Sequence, residues 1–173
     1  TTLDAFNQME VIQDVQITGN PSLRTLNAFQ QLKEVQLIFF LNSNSQLTTL
    51  NGLGKLEVVN GFSFENNDAF EVLDELVALR TTDRYLSIRL NDQLKEVVFS
   101  DLSGNVDEVL IADNPLLASV PAIGGLTIAQ ALQVYDNPSL DDCCALATLL
   151  DADQSNGHNG GLLNLRGNGA MCN

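Results

Sequence analysis

One nine-residue pattern recurs along this chain, and its pitch constrains the fold more than any other feature. Anchored on an asparagine, it reads apolar, x, apolar, x, x, Asn, x, x, apolar. The copies are Val15-x-Ile17-x-x-Asn20-x-x-Leu23, Phe39-x-Leu41-x-x-Asn44-x-x-Leu47, Phe62-x-Phe64-x-x-Asn67-x-x-Phe70 and Leu86-x-Ile88-x-x-Asn91-x-x-Leu94. Val109-x-Ile111-x-x-Asn114-x-x-Leu117, Leu132-x-Val134-x-x-Asn137-x-x-Leu140 and Leu163-x-Leu165-x-x-Asn168-x-x-Met171 complete the set. The anchors step by 24, 23, 24, 23, 23 and 31 residues. Seven copies at nearly constant pitch mark a solenoid.

Two apolar residues separated by one other residue describe a short strand with one buried face. The asparagine falls where the strand bends out of the sheet. Its side chain both accepts and donates, so stacked asparagines can satisfy backbone groups that the bend leaves unpaired. One coil has no second layer to cover its apolar side, and its neighbours in the stack supply that layer. Between the strands run return arms with an apolar residue at every third position, such as Leu26, Phe29, Leu32, Val35 and Leu50, Leu53, Leu56, Val59. That spacing predicts turn-rich or short 3₁₀-like arms. Short helices are expected over Val72–Leu79 and Ile128–Leu132, and an extra turn at Gly104-Asn105. Residues 142–151 place Leu146, Leu149 and Leu150 on one helical face, so a helix followed by the last strand forms a C-terminal cap over 141–173. The whole chain, 1–173, reads as a single solenoid domain.

The residues are 45% hydrophobic, enough for one buried core, while 22 acidic against 8 basic residues give a net charge of −14. Such a surface repels nucleic-acid phosphates and anionic lipid. No run approaches the ~18 apolar residues of a membrane span, so membrane insertion is not expected. The chain opens directly in repeat text at Leu3 with no signal peptide, as a mature form or an excised domain would. The first arm (Leu3, Phe6, Met9, Ile12) has no polar cover, which points to an upstream segment or self-association there. Cys143, Cys144 and Cys172 gather at one end; such clustering fits a disulfide that clips a terminus in an oxidising compartment, with one thiol left over.

The phrase Ile17-Thr-Gly-Asn-Pro-Ser-Leu-Arg-Thr-Leu26, at this pitch, resembles the receptor L-domain type of leucine-rich repeat. Similar text occurs in fungal cell-wall proteins and in secreted proteins of Bacteroidetes-like bacteria. An ordinary leucine-rich repeat puts its apolar residue two places after the asparagine, and here it is three. The ending is similar to bacterial members in Leu140-Asp-Asp-Cys143 and in Asn168-Gly-Ala-Met171-Cys172-Asn173, although Met171 replaces the usual glycine and Leu149 stands where a second cysteine often falls. The resemblance implies an α/β leucine-rich-repeat solenoid of about seven coils, with one parallel sheet and turn or short-helix arms. It also implies a secreted or cell-surface adhesion role and a disulfide between Cys172 and Cys143, with Cys144 the alternative partner.

Catalytic chemistry is sparsely supported. His158 is the single histidine and sits in the loop-like Asn156-Gly-His-Asn-Gly-Gly161, so it reads as a solvated loop residue and not as the base of a cysteine nucleophile. Asp151-Ala-Asp153-Gln-Ser155-Asn156-Gly157 begins like a calcium loop but has Asn156 where glycine is required and Leu162 where the bidentate glutamate belongs. Gly52-Leu-Gly54 lacks the strand–helix context of a dinucleotide site and reads as turn chemistry. The expectation is a protein that is not an enzyme and carries no cofactor or metal.

Strand alternation assigns three outward columns. The first is Gln16, Phe40, Ser63, Ser87, Leu110, Gln133, Asn164; the second is Thr18, Asn42, Glu65, Arg89, Ala112, Tyr135, Arg166; the third is Asp14, Ile38, Gly61, Tyr85, Glu108, Ala131, Leu162. Ile38, Phe40, Tyr85, Leu110 and Tyr135 are expected to be exposed, and Arg89 and Arg166 to project from the face. Aromatic and arginine side chains on a rigid sheet are ingredients of a binding surface. The site expected there comprises Phe40, Glu65, Tyr85, Arg89, Leu110, Gln133, Tyr135 and Arg166. The function expected is a non-catalytic extracellular module that recognises protein or glycan through this face. The alternative is a structural spacer or cell-wall stalk. Ice binding requires a regular hydroxyl column, and Thr18, Asn42, Glu65, Arg89 is not one.

Overall fold

A computed structural model describes residues 1–119, 123–141, 146–147, 157–158 and 161–169. In chain order its strands are β1 (Thr2–Leu3), β2 (Val11–Ile12), β3 (Val15–Thr18), β4 (Thr25–Asn27), β5 (Glu34–Asn42), β6 (Thr49–Asn51) and β7 (Val58–Glu65). They continue as β8 (Val72–Leu73), β9 (Thr81–Arg89), β10 (Glu96–Val97), β11 (Ser103–Ala112), β12 (Gly125–Tyr135), β13 (Gly157–His158) and β14 (Leu162–Asn164). Every pairing among them is parallel. The large sheet runs β12-β11-β9-β7-β5, with β2 and β3 both along β5 at one end and β13 and β14 both along β12 at the other. The chain is a parallel β-solenoid of about six turns.

Alternation sets the register of this sheet. Val15 pairs Phe39, Phe39 pairs Phe62, Phe62 pairs Leu86, and Val109 pairs both Leu86 and Leu132, so the first apolar position of each repeat stacks on the next. Phe39, Phe62, Leu86, Val109 and Leu132 are completely buried. The rings of Phe39 and Phe62 stack at 5.8 Å, and Phe29 meets Phe39 edge-on at 6.1 Å. The longer strands break register between Val35 and Ile38, Val59 and Gly61, and Val106 and Glu108. Such bulges bend each strand into two arms.

The return arms hold the main departures from expectation. Leu26, Leu50 and Leu73 face the same core as the large sheet but lie on short parallel strands, in the sheet β1-β4-β6 and the pair β8-β10. Turns bracket each of them, closed in one arm by Leu23 N–H to Asn20 O at 3.0 Å and Leu32 N–H to Phe29 O at 2.9 Å. Turn, strand, turn returns an apolar residue inward every third position, so this spacing needs no helix. Val72–Leu79 is accordingly β8 followed by a turn that Leu79 N–H closes on Leu76 O at 3.0 Å, not a two-turn helix. Ile128–Leu132 lies within β12, and Gly104-Asn105 within β11, where Gly104 takes φ +99° without making a separate turn. Of the expected cap, Leu146 and Ala147 are helical with Leu146 buried, and Leu162–Asn164 forms β14; the rest of that helix lies outside the described residues.

The asparagines form one ladder. Each Oδ1 accepts the backbone N–H of the asparagine one coil earlier: Asn20 to Asn44 at 3.2 Å, Asn44 to Asn67 at 3.2 Å, Asn67 to Asn91 at 3.0 Å and Asn91 to Asn114 at 3.2 Å. Asn114 to Asn137 at 3.1 Å and Asn137 to Asn168 at 3.3 Å complete it. From Asn44 onward each Nδ2 reaches back to a strand carbonyl of the same earlier coil, as Asn91 does to Phe64 O at 3.1 Å and Asn114 to Ile88 O at 3.0 Å. The residue before each rung is left-handed: Gly19, Ser43, Asn66, Leu90, Asp113, Asp136 and Gly167 have φ between 51° and 68°. This reversal turns the chain out of the sheet and aims the asparagine at its neighbours. Five of the seven are glycine, asparagine or aspartate, the types that favour the conformation; Ser43 is a small exception and Leu90 a bulky one.

Candidate functional site

The outward columns pair as the alternation requires. Gln16, Phe40, Ser63, Ser87, Leu110, Gln133 and Asn164 form an unbroken row of register partners. Thr18 to Tyr135 form a second row, and Ile38 to Leu162 a third. What the columns do not convey is how far neighbouring side chains lean across one another at a strand spacing of about 4.8 Å. Ile38, Phe40, Tyr85, Leu110 and Tyr135 are half-buried, not freely exposed. They close over the small residues between them, and Ser63 is left only 1% accessible on the outward face.

The centre of the sheet face is a polar network around a carboxylate. Glu65 is 8% exposed, and its Oε1 accepts from Ser63 Oγ and from Ser87 Oγ, each at 2.9 Å. Its Oε2 pairs with Arg89 Nη2 at 3.0 Å. Desolvation pushes the Glu65 carboxyl up, but the hydrogen bonds from Arg89, Ser63 and Ser87 and the charge of Arg89 outweigh it and hold the group below the ordinary carboxylate range. The bond to Glu65 in turn raises the Arg89 guanidinium. Arg89 is therefore folded onto Glu65 and does not project.

Above the two serines lies a pocket of about 210 Å³. Phe40 and Leu110 wall it along the first column, Glu65 closes one side, and Tyr85 and Glu108 the other. Gly61, the register partner of Tyr85, makes room for the phenol ring: a Cβ there would lie 2.7 Å from Tyr85 Cε1. Burial raises the Tyr85 hydroxyl above its usual range. Gln133 Nε2 donates to Glu108 Oε1 at 2.8 Å and so fixes that carboxylate at the rim.

Of the expected site residues, the pocket thus collects Phe40, Glu65, Tyr85 and Leu110, with Arg89 and Gln133 acting through Glu65 and Glu108. Tyr135 and Arg166 form a separate pair further along the sheet, with the Arg166 guanidinium 5.6 Å from the Tyr135 ring centroid. Arg166 is engaged there instead of projecting alone. Gly61, Ser63, Ser87 and Glu108 were in the columns but not among the expected site residues. Their signal is the run of small residues, Ser63 and Ser87 between Phe40 and Leu110, which marks a depression in an otherwise bulky row.

Gly52 behaves as turn chemistry, with φ +118° and no space for a Cβ, which would meet Ala28 O. His158 is a correction: by its backbone it belongs to β13, paired with Ile128, and not to a loop. Cys143, Cys144 and Cys172, the calcium-like stretch from Asp151 to Asn156, and Met171 lie outside the described residues. Among the described residues no three His, Cys, Asp or Glu converge on a possible metal position. No helix of the described residues is long and apolar enough to cross a membrane. At the first coil Phe6, Met9 and Val11 are exposed, beside a pocket of about 270 Å³ between Leu3, Ile12 and Phe29. No family model matches the chain, and no solved structure gives a significant match to it.

Proposed function

We propose that this protein is a non-catalytic, secreted or cell-surface binding module of the receptor L-domain-like kind, which captures a macromolecular ligand on the face of its large parallel sheet. One observation carries the reading. The sheet face has a walled pocket at its centre, floored by hydroxyls and held rigid by a carboxylate network from two adjacent strands. Hydrogen-bonded strands fix the positions of Phe40, Tyr85 and Leu110, so a ligand meets a preorganised surface.

The asparagine ladder favours a second reading, in which the stack is a stiff spacer and its faces bind nothing. The two readings separate on arrays of surface proteins and glycans probed with the purified chain and with Leu110→Asp. Leu110 is half-buried at the pocket wall, so the variant places a charge in the face while keeping the core intact. Lys55→Ala, on the exposed return arm, is the control. Capture altered in either direction by Leu110→Asp and unchanged in Lys55→Ala supports sheet-face binding. Capture that ignores Leu110→Asp refutes it.

A further inference from the structure

We propose that the pocket between Phe40 and Leu110 receives a basic side chain, lysine or arginine, presented by a protein partner. This inference rests on the sheet being the ligand face and names what that face selects. Its volume of about 210 Å³ lies below the roughly 300–1,000 Å³ of small-molecule and cofactor sites, so it suits a single side chain or one ring.

A count of donors and acceptors decides between those occupants. A carboxylate only accepts hydrogen bonds, so the hydroxyl hydrogens of Ser63 and Ser87 are both committed to Glu65 Oε1. The serine oxygens therefore offer lone pairs to the pocket. Glu108 Oε1 takes the amide of Gln133, and among the described residues Glu108 Oε2 has no protein partner. The pocket lining thus offers acceptors in excess, and the Tyr85 hydroxyl is its one side-chain donor not committed elsewhere. A sugar hydroxyl needs donors as well as acceptors, whereas an ammonium or guanidinium has donors only.

Charge points the same way. Arg89 pairs with Glu65, while among the described residues no lysine or arginine forms an ion pair with Glu108 at the rim, and the whole chain carries −14. That field draws cations and repels anionic ligands. The rings of Phe40 and Tyr85 line the site, and a cation held over an aromatic face within about 6 Å of its centroid is attracted by the ring. The aliphatic stem of the side chain would pass Leu110 on its way in.

The test is an NMR titration of the ¹⁵N-labelled chain in about 0.3 M salt, where diffuse attraction is screened over a few ångströms. The probes are the Nα-acetyl methylamides of lysine, arginine and norleucine, and a neutral oligosaccharide. The expected result is saturable shifts centred on the Ser63, Ser87 and Leu110 amides with lysine or arginine and none with norleucine. Tyr85→Ala, which leaves the net charge unchanged, should weaken binding about tenfold. Gly61→Ala should act the same way by displacing the ring, and Glu108→Gln keeps the shape of the site while removing its charge, so it guards against a fold defect in the first two. Shifts spread over the acidic surface and indifferent to Tyr85→Ala overturn the proposal, as does equal binding of norleucine. Oligosaccharide shifts at these amides without basic-probe shifts overturn it while leaving sheet-face binding standing. If no probe moves these amides the inference also fails, and the array comparison with Leu110→Asp then judges the sheet-face reading independently.

Discussion

Replacing Asn91 by alanine probes the ladder at mid-stack. Asn91 is completely buried, and its Oδ1 accepts the Asn67 N–H at 3.0 Å. Its Nδ2 donates to Phe64 O at 3.1 Å, Arg89 O at 2.9 Å and Asn114 Oδ1 at 3.1 Å. Two of these losses are softened, because Arg89 O still receives Asn66 N–H and Asn114 Oδ1 still receives Asn91 N–H. The Asn67 N–H is left buried without its acceptor, at about 1–3 kcal/mol, and the lost bond to Phe64 O adds about 1 kcal/mol. The expected destabilisation is therefore about 2–4 kcal/mol. Asn20→Ala is the matched control: Asn20 is exposed, its Nδ2 bonds go to Thr18 O and Asn44 Oδ1, and its loss should cost less than about 1 kcal/mol. Urea unfolding followed by far-UV circular dichroism measures both. Asn91→Asp sharpens the test, since a carboxylate cannot donate to the Phe64 and Arg89 carbonyls and should be no better than alanine. Equal costs at Asn91 and Asn20, or a well-tolerated Asn91→Asp, would refute the reasoning.

Two further outcomes concern the corner and the carboxylate. Leu90→Asn should stabilise the fold by about 0.5–1 kcal/mol, because Leu90 sits at φ 59° and a branched side chain strains there while asparagine does not; an unchanged urea midpoint would count against it. Glu65→Gln should cost about 1–2 kcal/mol at neutral pH, softened by the partial exposure of Arg89. The Glu65 carboxyl is held below its unfolded value, so its contribution is complete above that value and is lost as pH falls through the lowered folded one. The gap between wild type and Glu65→Gln in urea midpoint should accordingly close on acidification, and a gap that widens would contradict the assignment.

The stack, its pitch and the register of the outward columns were legible in the sequence because period-two alternation and a fixed asparagine step translate directly into strand pairing. The arms were not. An apolar residue at every third position is satisfied equally by a helical turn and by turn, strand, turn, and only the hydrogen bonds closed by Leu32 and Leu79 distinguish them. The left-handed corner left a trace in Gly19, Asn66, Asp113, Asp136 and Gly167, but Leu90 in the same place hides the rule. At the site, alternation gave the neighbours of Glu65 without giving its burial. That depends on how Phe40, Tyr85 and Leu110 lean, which is a property of packing in three dimensions.

The backbone amides of the rungs all donate in one direction, each to the asparagine of the coil that follows, while the side-chain amides reach back to the coil before. Such an array has a head and a tail, and no rotation of the molecule can exchange them. Duplicating one period ahead of the hollow, residues 20–43 for example, would slot in as a further identical step, about 4.8 Å long, without disturbing the coils on either side. Height is thus a freely adjustable dimension of this architecture, and the distance from its first coil to its central hollow can be tuned by whole-coil gain or loss while the hollow itself stays intact.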